Sequence, residues 1–243
     1  MKNLIYFTLG NNLDYIKLAS LCISSLYKTG YEGDLLFITK LEDEILKEIS
    51  FKTPPFFLRI EEDGLIKSSA NKLKIYEYSE IKNYDKILYC DLDILWLKNP
   101  NLIFNLIEED DVFYLSNENY LMSDNWWGGN ILEDSEKKFI QKNNVRGLNA
   151  GIFGFNKKTL HHLKKIDIFY ETFIRFINEC IEQPFINVYL FRNNLYNTQL
   201  NSLIEHNGYT VENYDGVILH FAGGPGNFSL KYEKMLNYYN KNL

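Results

Sequence analysis

Apolar and polar positions change period along this chain, and the changes mark its elements. Residues 4–9 are a compact apolar run, short for a helix and stopped by Gly10-Asn11-Asn12, which predicts a buried strand. Asp14 is placed to cap a helix in which Tyr15, Leu18, Cys22, Ser25 and Leu26 recur at helical spacing until Gly30. Residues 35–39 predict a second strand, Glu42 opens a short acidic helix, and residues 56–60 form a third strand after Pro54-Pro55. Residues 72–80 read as a helix and 87–90 as the next strand. Strands alternating with helices predict parallel βαβ units and an open α/β sheet.

The second half begins after Asn99-Pro100 with a short helix over 102–107 and a strand over 112–116. Residues 117–147 read as polar and irregular, with Asn125-Trp126-Trp127-Gly128-Gly129-Asn130 at the centre. Adjacent tryptophans beside glycines suit a sugar-stacking lip or flap, and equally a loop anchored by its own aromatics. A strand with small residues at its start spans 149–155, and a long helical stretch runs from 157 to 180. Glu182-Gln183-Pro184 opens another helix, with Pro184 in the first turn. Residues 217–219 lead as a strand into His220, and residues 230–243 predict a terminal amphipathic helix. No repeat, low-complexity segment or linker divides the chain, so a single domain over 1–243 is expected.

Composition adds constraints rather than a function. The chain has 243 residues, 46% hydrophobic and 24% charged, which is ordinary for a globular protein with a real core. A net charge of -6 without any basic block disfavours nucleic-acid binding. Aromatics at 16% suit either a ring- or sugar-stacking cleft or an aromatic core. Cys22, Cys90 and Cys180 lie in apolar surroundings without metal-type spacing, which predicts reduced buried thiols. The first apolar run is too short for a signal peptide, and no run reaches a membrane span, so a cytoplasmic location is expected.

The chemistry concentrates where the strand over 87–90 ends. Asp91 and Asp93 flank Leu92, and in extended chain their side chains share a face with Cα atoms roughly 6–7 Å apart. Two carboxylates there suit a divalent ion carrying phosphates, Mg²⁺ or Mn²⁺. They also suit a solvated loop. Thr8-Leu9-Gly10-Asn11 lies at the corresponding end of the first strand, where open α/β sheets bind ligands. His220 repeats the pattern at the exit of a later strand, followed by glycines that can offer backbone N–H groups to phosphate or form a plain turn.

These pieces in this order resemble the retaining GT-A glycosyltransferases of family 8, the family of glycogenin and the bacterial galactosyltransferases. The resemblance runs from Thr8 to Lys231. It implies a single GT-A (Rossmann-like) domain with a mixed, mostly parallel central sheet flanked by helices. Residues 1–116 would form the nucleotide-binding half and 117–243 the donor-sugar and acceptor half. Thr8, Leu9, Asn11, Asn12 and Tyr15 look like the segment that holds uracil and ribose, and Lys72 like a sugar-nucleotide contact. Asp91, Leu92 and Asp93 match the family's Asp-x-Asp motif, and with His220 the resemblance makes Asp91 and Asp93 ligands of Mn²⁺ (or Mg²⁺). Asn149, Ala150 and Gly151 look like the segment against the donor sugar. Glu182 and Gln183, with Asn187 beyond, resemble an Asp-Gln…Asn segment lining the reaction centre. That makes Asn149, Glu182 and Gln183 the catalytic candidates.

Two departures stand out. Gly223 and Gly224 occupy a stretch where the family continues to a phosphate-binding lysine, leaving Lys231 as the nearest candidate. Glu182 stands where an Asp is usual. The implied reaction is hexose transfer from a UDP-sugar to a hydroxyl of a glycan, protein or small molecule, with a homodimer admitted. A non-catalytic GT-A module that binds a nucleotide sugar or glycan is the alternative. A sugar-1-phosphate nucleotidyltransferase is disfavoured, because Gly10-Asn11-Asn12 lacks its basic glycine-rich loop.

Overall fold

The computed structural model describes residues 2–60, 69–174, 181–223 and 228–243. Strand β1 (Asn3–Thr8) leads into helix α1 (Tyr15–Lys28), followed by β2 (Asp34–Ile38), α2 (Glu42–Glu48) and β3 (Phe56–Leu58). A 3₁₀ helix over Asn71–Glu77 precedes β4 (Lys86–Cys90) and β5 (Ile94–Trp96). Then come α3 (Asn101–Phe104), β6 (Phe113–Tyr114), β7 (Asn117–Leu121), α4 (Asp134–Asn143), β8 (Arg146–Leu148) and β9 (Ile152–Asn156). Helices α5 (Leu160–Phe173) and α6 (Gln183–Asn193) lead to β10 (Tyr196–Asn197), β11 (Ile204–Glu205), β12 (Ile218–His220) and the terminal α7 (Phe228–Asn242).

The central sheet has seven strands in the order β10-β6-β9-β4-β1-β2-β3. Only β9 runs against its neighbours, β4 and β6. The sheet is therefore mixed and mostly parallel, as the family resemblance implies. A three-stranded sheet, β11-β12-β5, and the pair β7-β8 complete the strands among the described residues.

Both faces of the main sheet are covered. Ile5, Phe7, Leu35, Phe37 and Leu88 point into a core closed by Leu18, Cys22 and Leu26 of α1 and Met235 and Tyr238 of α7. Leu4, Tyr6, Leu36, Ile87 and Tyr89 point the other way, against Leu163 and Ile166 of α5 and Phe185 and Val188 of α6. Alternate side chains of one strand thus enter different cores, which is why these strands read as continuous apolar runs. Much of the aromatic content is core packing: Phe7 stacks on Phe37 at 5.2 Å, and Tyr6, Tyr89 and Phe153 interlock with centroids 5.0–6.5 Å apart.

Helix α1 buries the predicted face and fixes β5 through Ser25, whose hydroxyl donates to the Cys22 carbonyl (2.8 Å) and accepts from the Trp96 N–H (3.0 Å). Asp14 makes no side-chain cap and instead binds the Lys17 ammonium at 3.2 Å. The expected helix over 72–80 is a 3₁₀ helix ending at Glu77. Asn71, Lys72, Leu73 and Ile75 are all buried, so no single 3.6-residue stripe faces the core. Residues 117–147 are not irregular: they hold β7, α4 and β8. Their signal is weak because β7 (Asn-Glu-Asn-Tyr-Leu) is polar and α4 buries Ile140 alone.

Within the expected helix over 157–180, α5 runs to Phe173, and Cys180 lies outside the described residues. Cys22 and Cys90 are buried free thiols. Among the described residues no helix is long and apolar enough to cross a membrane.

Candidate active site

The carboxyl ends of β1 and β4 open into a cleft of about 750 Å³. Thr8, Leu9, Gly10, Asn11, Asn12 and Tyr15 form one wall, and Tyr89, Asp91, Leu92 and Asp93 the other. Ser69 and Ile181 also reach it. Asn12 Oδ1 accepts from the Asp14 N–H at 3.0 Å, which turns the first wall toward α1. The Tyr89 hydroxyl joins the walls by hydrogen bonding both Thr8 Oγ1 (2.9 Å) and the Asp91 carboxylate. Sequence reasoning placed Tyr89 in the strand core and missed this contact. Its position two residues before Asp91, on the same face of the strand, was the available signal.

Asp91, Asp93 and His220 converge, each with a ligand-type atom within 4.8 Å of the others. His220 reaches them because β12 pairs antiparallel with β5, setting His220 opposite Ile94. Its Nε2 lies 3.2 Å from Asp93 Oδ1, and the Lys231 ammonium pairs with Asp93 Oδ2. Asp93 Oδ1 is buried with no hydrogen-bond donor. Gly151 closes this pocket from behind: a Cβ there would sit 2.6 Å from Asp91 Oδ2 and 2.7 Å from His220 Cε1. Only glycine lets this backbone come so near both groups. Two carboxylate oxygens and an imidazole nitrogen, one oxygen orphaned, match the donor set of a hard or borderline divalent ion.

A buried cation stands behind Asp91. Lys72 Nζ lies 2.7 Å from Glu182 Oε1, 3.5 Å from Asp91 Oδ1 and 3.0 Å from the Ala150 carbonyl, above the Tyr89 ring at 4.6 Å. Burial disfavours the ammonium, but Asp91 and Glu182 outweigh it and raise the Lys72 pKa. Burial pushes the Asp91 carboxyl above its usual range, with Lys72 pulling against it and the Asp93 charge adding to it. Burial also opposes charge on Asp93, yet His220 and Lys231 win and hold that carboxyl well below the usual range. Lys231 is raised in turn, because Asp93 outweighs its burial.

The strap Asn149-Ala150-Gly151 is fixed at each residue. Asn149 Nδ2 donates to Glu118 (2.6 Å), the Ala150 N–H to Gln183 Oε1 (3.1 Å), and the Gly151 N–H to Asn149 Oδ1 (2.9 Å). Asn187, expected to line the reaction centre, is instead spent on backbone. Its amide bridges the N–H (2.6 Å) and carbonyl (2.9 Å) of Leu148, anchoring the strap. Gly223 is exposed, its carbonyl accepting from the Tyr209 hydroxyl at 3.2 Å, and Gly224 lies outside the described residues. Sequence reasoning also missed Glu118, Tyr209 and His206. Burial, with His220 adding to it, lowers His206 to about 3, so its imidazole is neutral.

Of the adjacent tryptophans, Trp127 is anchored: it stacks on Tyr120 at 4.7 Å, and Gly147 leaves it room, since a Cβ there would meet Trp127 at 2.1 Å. Trp126 is 57% exposed.

No protein-family model matches the chain, and no curated protein matches it. Solved structures do. The galactosyltransferase LgtC in complex with donor and acceptor sugar analogs superposes with a TM-score of 0.63 at 13% identity, covering 99% of this chain and 96% of LgtC. An active-site mutant of LgtC gives 0.70 at 13% identity, covering 98% and 95%. The glycosyltransferase GlyE of Streptococcus pneumoniae TIGR4 gives 0.65 at 14% identity, with 99% of this chain spanning 63% of that one. The chain therefore has the GT-A fold shared by these glycosyltransferases.

Proposed function

We propose that the chain is a metal-dependent, retaining glycosyltransferase that moves a hexose from a nucleotide diphosphate sugar to an acceptor hydroxyl of a glycan, protein or small molecule. The convergence of His220 on Asp91 and Asp93, which line a nucleotide-sized cleft, carries the reading. The likeness of Thr8, Leu9, Asn11, Asn12 and Tyr15 to the family's uridine segment supports a UDP donor.

Asp91, Asp93 and His220 would hold Mn²⁺ or Mg²⁺, and the orphaned Asp93 oxygen fits such a group. When bound, the ion supplies Lewis-acid stabilisation of charge on the leaving diphosphate. The chain's own residues do the rest. Lys231, already beside Asp93, brings positive charge to the diphosphate. Gln183 and Asn149 keep the strap at a fixed distance from the donor sugar. Glu182 Oε2 is buried without a donor and offers an acceptor to a sugar hydroxyl.

Retention needs either a covalent intermediate or attack from the leaving-group face. A carboxylate ion-paired at 2.7 Å to Lys72 is a poor nucleophile, which favours the second route. The acceptor oxygen bonds to the anomeric carbon as the carbon–oxygen bond to the diphosphate breaks. The acceptor proton passes to the departing phosphate oxygen.

A panel of UDP-, GDP-, CDP- and ADP-sugars with and without Mn²⁺ tests the reading by thermal shift and nucleotide release. A ligand at 100 times its Kd adds about 2.7 kcal/mol of stability. A shift with UDP-sugars that requires Mn²⁺, together with UDP release, is expected. No shift with any nucleotide refutes the proposal.

A further inference from the structure

His206 follows β11, which runs parallel to β12 and so carries His206 alongside His220. The two imidazoles meet through their Nδ1 atoms at 3.1 Å, with ring planes at 68°. On its far side His206 Nε2 lies 2.6 Å from the Ser116 hydroxyl. Two ring nitrogens at hydrogen-bond distance require one to donate and the other to accept.

Two arrangements satisfy that requirement with both rings neutral. In one, His206 is protonated on Nε2 and donates to Ser116. Its Nδ1 then accepts from the Nδ1–H of His220, and His220 Nε2 is a bare lone pair. In the other, His206 donates from Nδ1, and His220 must carry its proton on Nε2, facing Asp93. Nε2 is the ring nitrogen that faces the carboxylates, 3.2 Å from Asp93 Oδ1. A ligand to a divalent ion there must present a bare lone pair. Only the first arrangement leaves Nε2 free to serve the proposed ion.

We infer that His206 is a positioning residue: braced by Ser116, it holds His220 as the Nδ1–H tautomer and aims the Nε2 lone pair between Asp91 and Asp93. The inference rests on the metal-site reading above. It adds a residue and a mechanism to it, because the orientation of a ligating imidazole is set by what its second nitrogen touches. The backbone supports the same placement, since the Gly208 N–H donates to the His220 carbonyl at 3.0 Å. The Ser116 carbonyl also accepts from the Asn149 N–H at 2.9 Å, so one residue braces both the relay and the strap.

The chain has four histidines, which suits ¹⁵N-histidine labelling. Long-range ¹H–¹⁵N correlations report which ring nitrogen carries the proton, with no metal needed. His220 is expected in the Nδ1–H form in the wild type and in His206→Gln, whose amide oxygen keeps an acceptor. The preference is expected to be lost in His206→Phe and weakened in Ser116→Ala.

The Kd for Mn²⁺, read from the free-ion EPR signal, should rise about ten- to a hundredfold in His206→Phe and recover in His206→Gln. A purely structural role would not move the tautomer. Finding His220 protonated on Nε2 in the wild type overturns the inference. So does a folded His206→Phe that keeps both tautomer and Mn²⁺ affinity. If His206→Phe does not fold, the wild-type spectrum and Ser116→Ala decide. A wild type that binds no Mn²⁺ but shows the Nδ1–H form sinks the metal reading and leaves the positioning role standing.

Discussion

Lys72 and Glu182 form an ion pair at 2.7 Å with side chains only 4% and 5% exposed. Removing one partner leaves the other charge in the interior without its nearest counter-ion, which costs about 3–5 kcal/mol. Lys72→Met and Glu182→Leu should each lower the stability measured by denaturant titration by that much. The double variant should regain much of the loss, because a well-packed apolar pair often replaces a buried ion pair without penalty. Sugar transfer should not return with it. Recovery of activity in the double variant would assign the pair to stability alone.

Asp93→Asn keeps the shape of the side chain and removes its charge. The chain should stay folded by circular dichroism while Mn²⁺-dependent transfer falls about a thousandfold or more, since a metal supplies several kcal/mol and each 1.4 kcal/mol is tenfold. Activity that survives the change would sink the metal assignment.

Gly151→Ala pushes a methyl group against Asp91 Oδ2 and His220 Cε1, at 2.6 and 2.7 Å before relaxation. Overpacking of this kind costs about 1–3 kcal/mol. The displaced ligands should also weaken Mn²⁺ binding, measured by calorimetry. A variant that binds Mn²⁺ like the wild type would show that the strap can retreat.

Much of this site was legible because its groups sit at strand ends. Asp91, Asp93 and Thr8 leave apolar strands, where a parallel sheet presents its ligands, and Pro184 announces α6. His206 was not legible. It follows a two-residue strand whose neighbour, β12, lies more than ten residues on, and only tertiary pairing brings the rings together. Asn187 misled for a related reason. Its spacing from Gln183 fits one helix face, but that face turns to the backbone of Leu148. The adjacent tryptophans had two readings, and Trp127 takes the anchored one while Trp126 stays exposed.

Glu136 and Arg192 tie α4 to α6 through a two-pronged contact at 2.8 and 2.9 Å. The hydrogen bond from Arg192 lowers the Glu136 pKa below its ordinary 4.5. A depressed carboxyl adds stability above its unfolded pKa and loses it as pH falls through the folded one. Glu136→Gln should therefore cost up to about 1 kcal/mol at pH 7, and the gap to wild type should narrow progressively as pH falls below the ordinary 4.5. Urea midpoints across that range check it. A gap that persists at low pH would mean packing, not charge, holds the two helices.

Cys22 and Cys90 are buried, and burial raises both thiol pKa values. Neither should react with iodoacetamide in the native protein. Both should label on unfolding in urea, as peptide mapping by mass spectrometry would show. Rapid native labelling of Cys90 would mean that the β4 region opens locally.

The reversed strand β9 also sets a timetable for synthesis. Strand β4 pairs on one side with β1 and on the other with β9. At about 5–20 residues per second, the roughly 60 residues between Cys90 and Ile152 take about 3–12 s to emerge. During that interval the nascent chain carries Asp91 and Asp93 at the end of an apolar strand with one edge bare, and such edges recruit other chains. The acidic pair that would serve catalysis in the finished protein is then also a charged guard on an unfinished sheet.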